Sequence, residues 1–225
     1  MAERWIPEFH GNLRKHMLTV PEVIRNASGI RIFGKRIRSI VFTTDVSIMR
    51  NVNADAVIAV YPFTPQPVIT QALMLAADIP VFCGVGGGTT TGHRVINLAL
   101  HAEFQGSIGV VVNAPTPNET IYRMSQRIDI PIVVTVVSEN DDVAGRLAAG
   151  ASILNVSAAG KTAALVEKIR QQHPYAAIIA TGGPTEESIR QTIEAGANAI
   201  TWTPPTNGEL FKDLMHRYRE GKPRD

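Results

Sequence analysis

The feature that most constrains this chain is a repeat of pattern rather than of letters. From residue 37 onward, apolar runs of about seven residues alternate with amphipathic stretches of roughly ten to fifteen, as expected of strands buried on both faces by covering helices. The runs are IRSIVFTTD ending at Asp45, DAVIAVYPF ending near Tyr61, PVFCGVGGG, SIGVVVNAP ending at Asn113, PIVVTVVSE ending at Glu139, SILNVSAAG, AAIIATGG and NAITWTPPT. Eight strands, each followed by a helical stretch, predict an α/β fold: a single closed parallel (βα)8 or TIM barrel rather than an open doubly wound sheet. With 225 residues, 44% of them hydrophobic, the chain holds one such core. The expected organisation is one structural domain, with residues 1–36 as a short helical extension packed on the barrel and residues 37–225 as the barrel itself. Within the extension, Thr19-Val20-Pro21-Glu22 reads as a helix start and the residues from Asn26 to Gly29 as a stop.

Composition narrows the setting. The single cysteine, Cys83, excludes an internal disulfide and fits a reducing cytosol, so a cytoplasmic protein is expected. Residues 1–20 lack the apolar centre of a signal peptide, and no apolar run reaches the ~18 residues of a membrane span, so no membrane partner is expected. Net charge is +2, but up to Arg38 eight basic residues (Arg4, Arg14, Lys15, Arg25, Arg31, Lys35, Arg36, Arg38) face three acids (Glu3, Glu8, Glu22). Only three aromatic residues, Trp5, Phe9 and Phe33, stand among these charges, too few for the stacking surface of a single-strand binder, so the segment reads as a solvated cap and a nucleic-acid partner is not expected. Homo-oligomers are common among such barrels, and nothing in the sequence marks the patch.

Strand parity predicts which side chains enter the barrel. Thr135 and Glu139 share a face, as do Thr43 and Asp45, and Thr201 and Thr203, which leaves Trp202 to pack against helices. With Tyr61, Cys83, Asn113, Asn155 and Thr181 these form a polar ring at the carboxyl ends of the strands, where barrel enzymes place their chemistry. Asp45 and Glu139, from opposite sides, are the candidate acid and base; Asn113 and Asn155 are the candidate orienting groups.

Two glycine-rich turns suggest anion sites. Thr181-Gly182-Gly183 lies between a strand and a helix opened by Thr185, where backbone N–H groups and the helix dipole favour negative charge. Thr203 and Lys161 are within expected reach of the same anion, whereas Pro204 and Pro205 remove donors after the eighth strand. The second turn, Gly86-Gly87-Gly88-Thr89-Thr90-Thr91 with His93 just beyond, is a candidate lid or second anion cradle. It is not a P-loop, since no Gly-Lys-Ser/Thr ends it. Glycines after the third and seventh strands and acids after the first and fifth hint at two half-barrels. The histidines (His10, His16, His93, His101, His173, His216) are scattered without ligand spacing, so neither a metal nor another cofactor is expected.

The segment SILNVSAAGKTAALVEKIRQQHPYAAIIATGGPTEESIRQTIEAGANAIT resembles the last third of the phosphate-binding TIM barrels that include keto-deoxy-phosphogluconate aldolases, thiamine phosphate synthases and related sugar-phosphate isomerases. The resemblance is best over residues 131–203. It implies a phosphate at Gly182-Gly183. The Schiff-base lysine of the aldolases would fall at Leu154-Asn155-Val156, so a Schiff-base aldolase is not expected, and the aspartate pair of the thiamine synthases is absent. The isomerases of histidine biosynthesis use acids on strands one and five, the places of Asp45 and Glu139. The resulting expectation is a metal-independent lyase or isomerase acting on a small phosphorylated metabolite. The alternative is a barrel that senses a metabolite without turnover, similar in outline to glycerol-responsive antiterminators, with RNA as a further partner of the basic amino-terminal segment.

Overall fold

The computed structural model describes residues 5–9, 11 and 17–221. The charges at Glu3, Arg4, Arg14 and Lys15, and His10 and His16, lie outside the described residues.

The first regular element among the described residues is a short 3-10 turn, Glu22–Asn26. It is followed by an antiparallel hairpin, β1 (Ile30–Ile32) and β2 (Lys35–Ile37), where the sequence suggested only helices and turns. Phe33 and Gly34, both at positive φ, join the strands in the two-residue turn that matches their twist. Strands of three residues are too short to show alternation in sequence.

Eight parallel strands then close into a barrel: β3 (Ser39–Phe42), β4 (Ala56–Ala59), β5 (Val81–Gly86), β6 (Gly109–Val112), β7 (Ile132–Val136), β8 (Ile153–Val156), β9 (Ala177–Thr181) and β10 (Ala199–Trp202), the last pairing with β3. The covering helices are α1 (Val46–Met49), α2 (Pro67–Ala76), α3 (His93–Phe104), α4 (Asn118–Ser125), α5 (Val143–Ala148), α6 (Thr162–Gln172), α7 (Glu186–Glu194) and α8 (Asn207–Arg219). The expected TIM barrel is thus the fold.

Alternation along each strand makes two cores. The outward residues, among them Val41, Val57, Cys83, Val110, Val134, Leu154, Ile178 and Ile200, pack beneath the helices. The inward residues, including Ile40, Ile58, Phe82, Val111, Val133, Ile153 and Ile179, fill the barrel. Ile32 and Ile37 of the hairpin belong to this inner cluster and plug the amino-terminal end. Burying a side chain of that size stabilises by about 1.5–3 kcal/mol. One end is therefore sealed with apolar side chains, and any site must sit at the other.

Candidate functional site

At the carboxyl end of the barrel the inward positions turn polar on one side. Pairing of Val112 with Val134 puts Asn113 level with Thr135, and Thr135 is paired with Asn155. Further round, Thr181 is paired with Thr201. These side chains form an arc along β6 to β10. Opposite them, β3 to β5 present Phe42, Val60 and Gly84, so the mouth has an apolar wall and a polar one.

The polar wall is under-satisfied. Asn155 donates from Nδ2 to Thr135 Oγ1 at 3.4 Å, a long contact, while its Oδ1 is buried without a partner. Thr201, 4% exposed, holds its Oγ1 without a partner as well. Buried polar atoms left unpaired cost about 1–3 kcal/mol each, so a wall that keeps two of them is built to meet something polar.

A cavity of about 250 Å³ opens at this end, lined by Val60, Tyr61, Phe63, Gly86, Thr89 and Asn113 among others. Its roof is the glycine-rich loop of residues 86–92. Gly87 donates to the Thr90 carbonyl at 3.0 Å and the Asn113 amide donates to Gly86 at 3.0 Å, so the loop is closed on itself and tied to the end of β6. Gly87 has φ +98°, and a Cβ there would lie 2.3 Å from Thr116 Oγ1 and 2.6 Å from the Asn113 nitrogen. Only glycine fits. At the tip, the exposed amides of Gly88 and Thr89 donate to no described residue and are available to a ligand. His93 follows as an exposed residue at the start of α3.

Beneath the loop lies a group that no sequence motif marks. Arg146 of α5 is 7% exposed, and its guanidinium donates to the carbonyls of Ala114 at 2.5 Å and Thr116 at 3.2 Å. Asp141 is 4.0 Å away. The segment after β6 that carries Asn113 and backs Gly87 is therefore held by a buried cation. An arginine inside an amphipathic helix reads from sequence as a solvated residue; its burial follows from where the β6 loop passes.

The other residues singled out in the sequence sit elsewhere. Gly182 donates its amide to the Thr201 carbonyl at 3.1 Å, and a Cβ there would strike Ile200. Gly183 faces open space, but Pro184 has no N–H, and Thr185 and Ser188 cap α7 by mutual hydrogen bonds. Glu186 and Glu187 occupy the first turn, adding negative charge where an anion would dock. This turn offers an anion much less than the loop at residues 86–92. Lys161 is exposed in the short turn Ala159–Lys161, close enough to Glu139 to lower that carboxyl's pKa. Thr203 is exposed past the end of β10.

Neither carboxylate is free at the mouth. β3 ends at Phe42, and Asp45 caps α1: it accepts from Ser47 N at 2.8 Å, Ser47 Oγ at 2.7 Å, Ile48 N at 3.2 Å and the side-chain amide of Asn207. The Ser47 hydroxyl is the largest influence on its pKa and, together with these amides, holds it below the usual value against burial, which ranks second and opposes them. Glu139 lies beyond the end of β7, where the chain has left the inward parity, and is exposed in an ion pair with Lys168 at 2.6 Å. The Lys168 hydrogen bond is the main reason that its pKa is lowered. Cys83, expected in the polar ring, faces the helices between Ala59 and Val110, and burial pushes its thiol pKa up. The inward neighbours on that strand are Phe82 and Gly84.

Among the described residues, no group of three or more His, Cys, Asp or Glu side chains is placed to hold a metal ion, and no helix is long and apolar enough to cross a membrane. The chain matches no protein-family model and no curated protein by sequence. Among solved structures it is similar to a phosphoenolpyruvate phosphomutase from Streptomyces platensis subsp. rosaceus (12% identity, TM-score 0.62, covering 95% of this chain and 89% of that one). It is also similar to a phosphonopyruvate hydrolase in complex with oxalate and Mg²⁺ (11% identity, TM-score 0.61, 89% and 88%). A third is a dihydrodipicolinate synthase from Bacillus anthracis (16% identity, TM-score 0.57, 81% and 76%). At these identities the likeness is one of fold. It supports the TIM barrel but not the narrower kinship with keto-deoxy-phosphogluconate aldolases and thiamine phosphate synthases. A barrel of this shape that holds Mg²⁺ also leaves metal independence without support.

Proposed function

We propose that the carboxyl-terminal mouth binds a small anionic metabolite, carrying a phosphate or carboxylate, and performs lyase-type chemistry on it. The observation that carries this reading is the pair of buried, unpartnered acceptors in the polar wall, Asn155 Oδ1 and Thr201 Oγ1. The anionic end of the ligand lies against the free amides of Gly88 and Thr89, and its polar body runs along Asn113, Thr135 and Asn155. Two fold neighbours have pyruvate compounds in their names and one was crystallised with oxalate, which supports a small acid as the ligand class. Proton transfer is assigned to Tyr61: its hydroxyl oxygen accepts from Gln66 N at 3.1 Å, which leaves its proton for the cavity that it lines.

A second reading, ligand binding without turnover, is favoured by one observation: Asp45 and Glu139 are both engaged in other contacts. One experiment addresses both. Thermal unfolding is followed with millimolar oxalate, pyruvate, inorganic phosphate and sugar phosphates, since a ligand at a hundred times its Kd adds about 2.7 kcal/mol to the native state. A rise of several degrees that Asn155→Leu abolishes supports the site; no rise with any of them rejects it. Product formation seen by NMR, lost in Tyr61→Phe while the thermal shift stays, supports the enzyme, and a shift without product supports the sensor.

A further inference from the structure

The two sides of the mouth cavity present opposite chemistry. On one, the loop of residues 86–92 brings backbone with little side chain: Gly86, Gly88 and Thr89 line the cavity, and the exposed amides of Gly88 and Thr89 are its donors. On the other, the chain between β4 and α2 reads Val60-Tyr61-Pro62-Phe63-Thr64-Pro65-Gln66-Pro67. Its prolines have no N–H to offer, and the Gln66 amide is spent on the Tyr61 hydroxyl at 3.1 Å. Val60, Tyr61, Pro62, Phe63 and Pro65 line the cavity, so this side offers a ligand apolar carbon and one phenol.

Phe63 is 74% exposed although it borders a cavity. Covering a ring of that size is worth about 1.5–3 kcal/mol, and the fold leaves most of that unrealised. The prolines on either side narrow the conformational freedom of the loop, so the ring is held in place before a ligand arrives. A sugar phosphate laid against this wall would exchange water for carbon along its hydroxyls, at about 1–3 kcal/mol for each one buried without a new partner. An apolar group would gain there instead. The size agrees: the cavity holds about 250 Å³, and oxalate, with the bulk of roughly three waters at about 30 Å³ each, would fill only about a third of it. Resting on the reading that the mouth binds a small acid, we propose that this acid carries an apolar tail, branched alkyl or phenyl. Its charged end lies on the Gly88 and Thr89 amides, its polar middle meets Asn113, and its tail packs on Pro62, Phe63 and Pro65. Phe63 is the residue that selects for the tail.

Isothermal titration calorimetry of the full chain tests this with millimolar pyruvate, ketoisocaproate, phenylpyruvate and ribose-5-phosphate. The three oxo acids share the charged end and differ in the tail. Ketoisocaproate and phenylpyruvate should bind at least about tenfold more tightly than pyruvate, each with a more negative heat-capacity change, the mark of apolar burial. Ribose-5-phosphate should bind more weakly than either. Phe63→Ala alters an exposed side chain, so the melting temperature should hold to within about 2 °C. In that variant the preference for phenylpyruvate over pyruvate should largely vanish, and Phe63→Leu should restore most of it. Equal affinities for the three acids, a preference unmoved by Phe63→Ala, or tightest binding of ribose-5-phosphate overturns the inference and leaves the mouth an anion site. Binding of none of the four removes that site itself, and the inference with it.

Discussion

Asp45, just past the first barrel strand, accepts a hydrogen bond from the side chain of Asn207 at the head of the last helix, joining positions 162 residues apart where the first and last barrel strands meet. The same carboxylate caps α1 through Ser47 and Ile48. A group with so many donors is held in its charged form and is poorly suited to take up a proton. Its place in the structure is that of a clip between the two ends of the barrel.

The clip has a pH signature. The folded pKa of Asp45 lies below the ordinary 3.8, chiefly through the Ser47 hydroxyl. A carboxyl whose pKa is lower folded than unfolded stabilises the protein fully above about pH 5, less as pH falls through the ordinary value, and not at all below the folded one. Asp45→Ala should cost about 1 kcal/mol at neutral pH through the lost cap. It should also flatten the acid limb of a plot of melting temperature against pH. An unchanged acid limb in the variant would contradict the assignment.

Gly87 and Gly88 are neighbours with opposite tolerances. A Cβ on Gly87 meets Thr116 Oγ1 at 2.3 Å on a backbone at φ +98°, whereas one on Gly88 meets nothing within 4 Å. Gly87→Ala should destabilise by about 1–3 kcal/mol, lowering the melting point by roughly 2–4 °C per kcal/mol. Gly88→Ala should leave it within about 0.5 kcal/mol of the parent. Equal melting points for the two variants would mean that the loop is not closed on the β6 end as described.

The barrel was legible because strands buried on both faces must be almost wholly apolar, and eight such runs leave little choice of topology. Parity placed Asn113, Thr135, Asn155 and Thr201 correctly toward the interior, since a two-residue period holds as long as the strand does. It misplaced Glu139 because β7 ends at Val136, three residues earlier, and it put Cys83 on the wrong face because β5 keeps Phe82 and Gly84 inward. That none of the 13 residues of α8 is buried was hidden for a different reason. Its pattern is that of an ordinary amphipathic helix, and only the course of residues 20–27, packed against α7, shows that its usual place is taken. The weight given to Gly182-Gly183 over residues 86–92 rested on its place between a strand and a capped helix and on the resemblance to phosphate-binding barrels; which amides remain free is decided by contacts far apart in sequence.

Arg146 should prove costly to remove. Its guanidinium is the donor for the Ala114 and Thr116 carbonyls, and it is buried with them. Arg146→Met keeps most of the volume but leaves two carbonyls without partners, an expected loss of about 2–4 kcal/mol. Hydrogen exchange should accelerate first at Asn113 and Thr116, whose amides bond within this segment and to Gly86. A loss below about 0.5 kcal/mol would show that the carbonyls find water instead.

Thr201 reverses the usual sign of a core substitution. Its Oγ1 is buried without a partner, so the native state carries a desolvation cost that a methyl group would not. Thr201→Val removes the hydroxyl at almost constant shape. The unliganded protein should gain about 1 kcal/mol, raising its melting point by roughly 2–4 °C. The same change should shrink the thermal shift produced by an anionic ligand, because the atom waiting for that ligand is gone. Stability and binding then move in opposite directions, as they do where a site holds strain for its ligand. If Thr201→Val instead destabilises the unliganded protein by more than about 1 kcal/mol, the hydroxyl is satisfied by interior water and the polar wall is a hydration site.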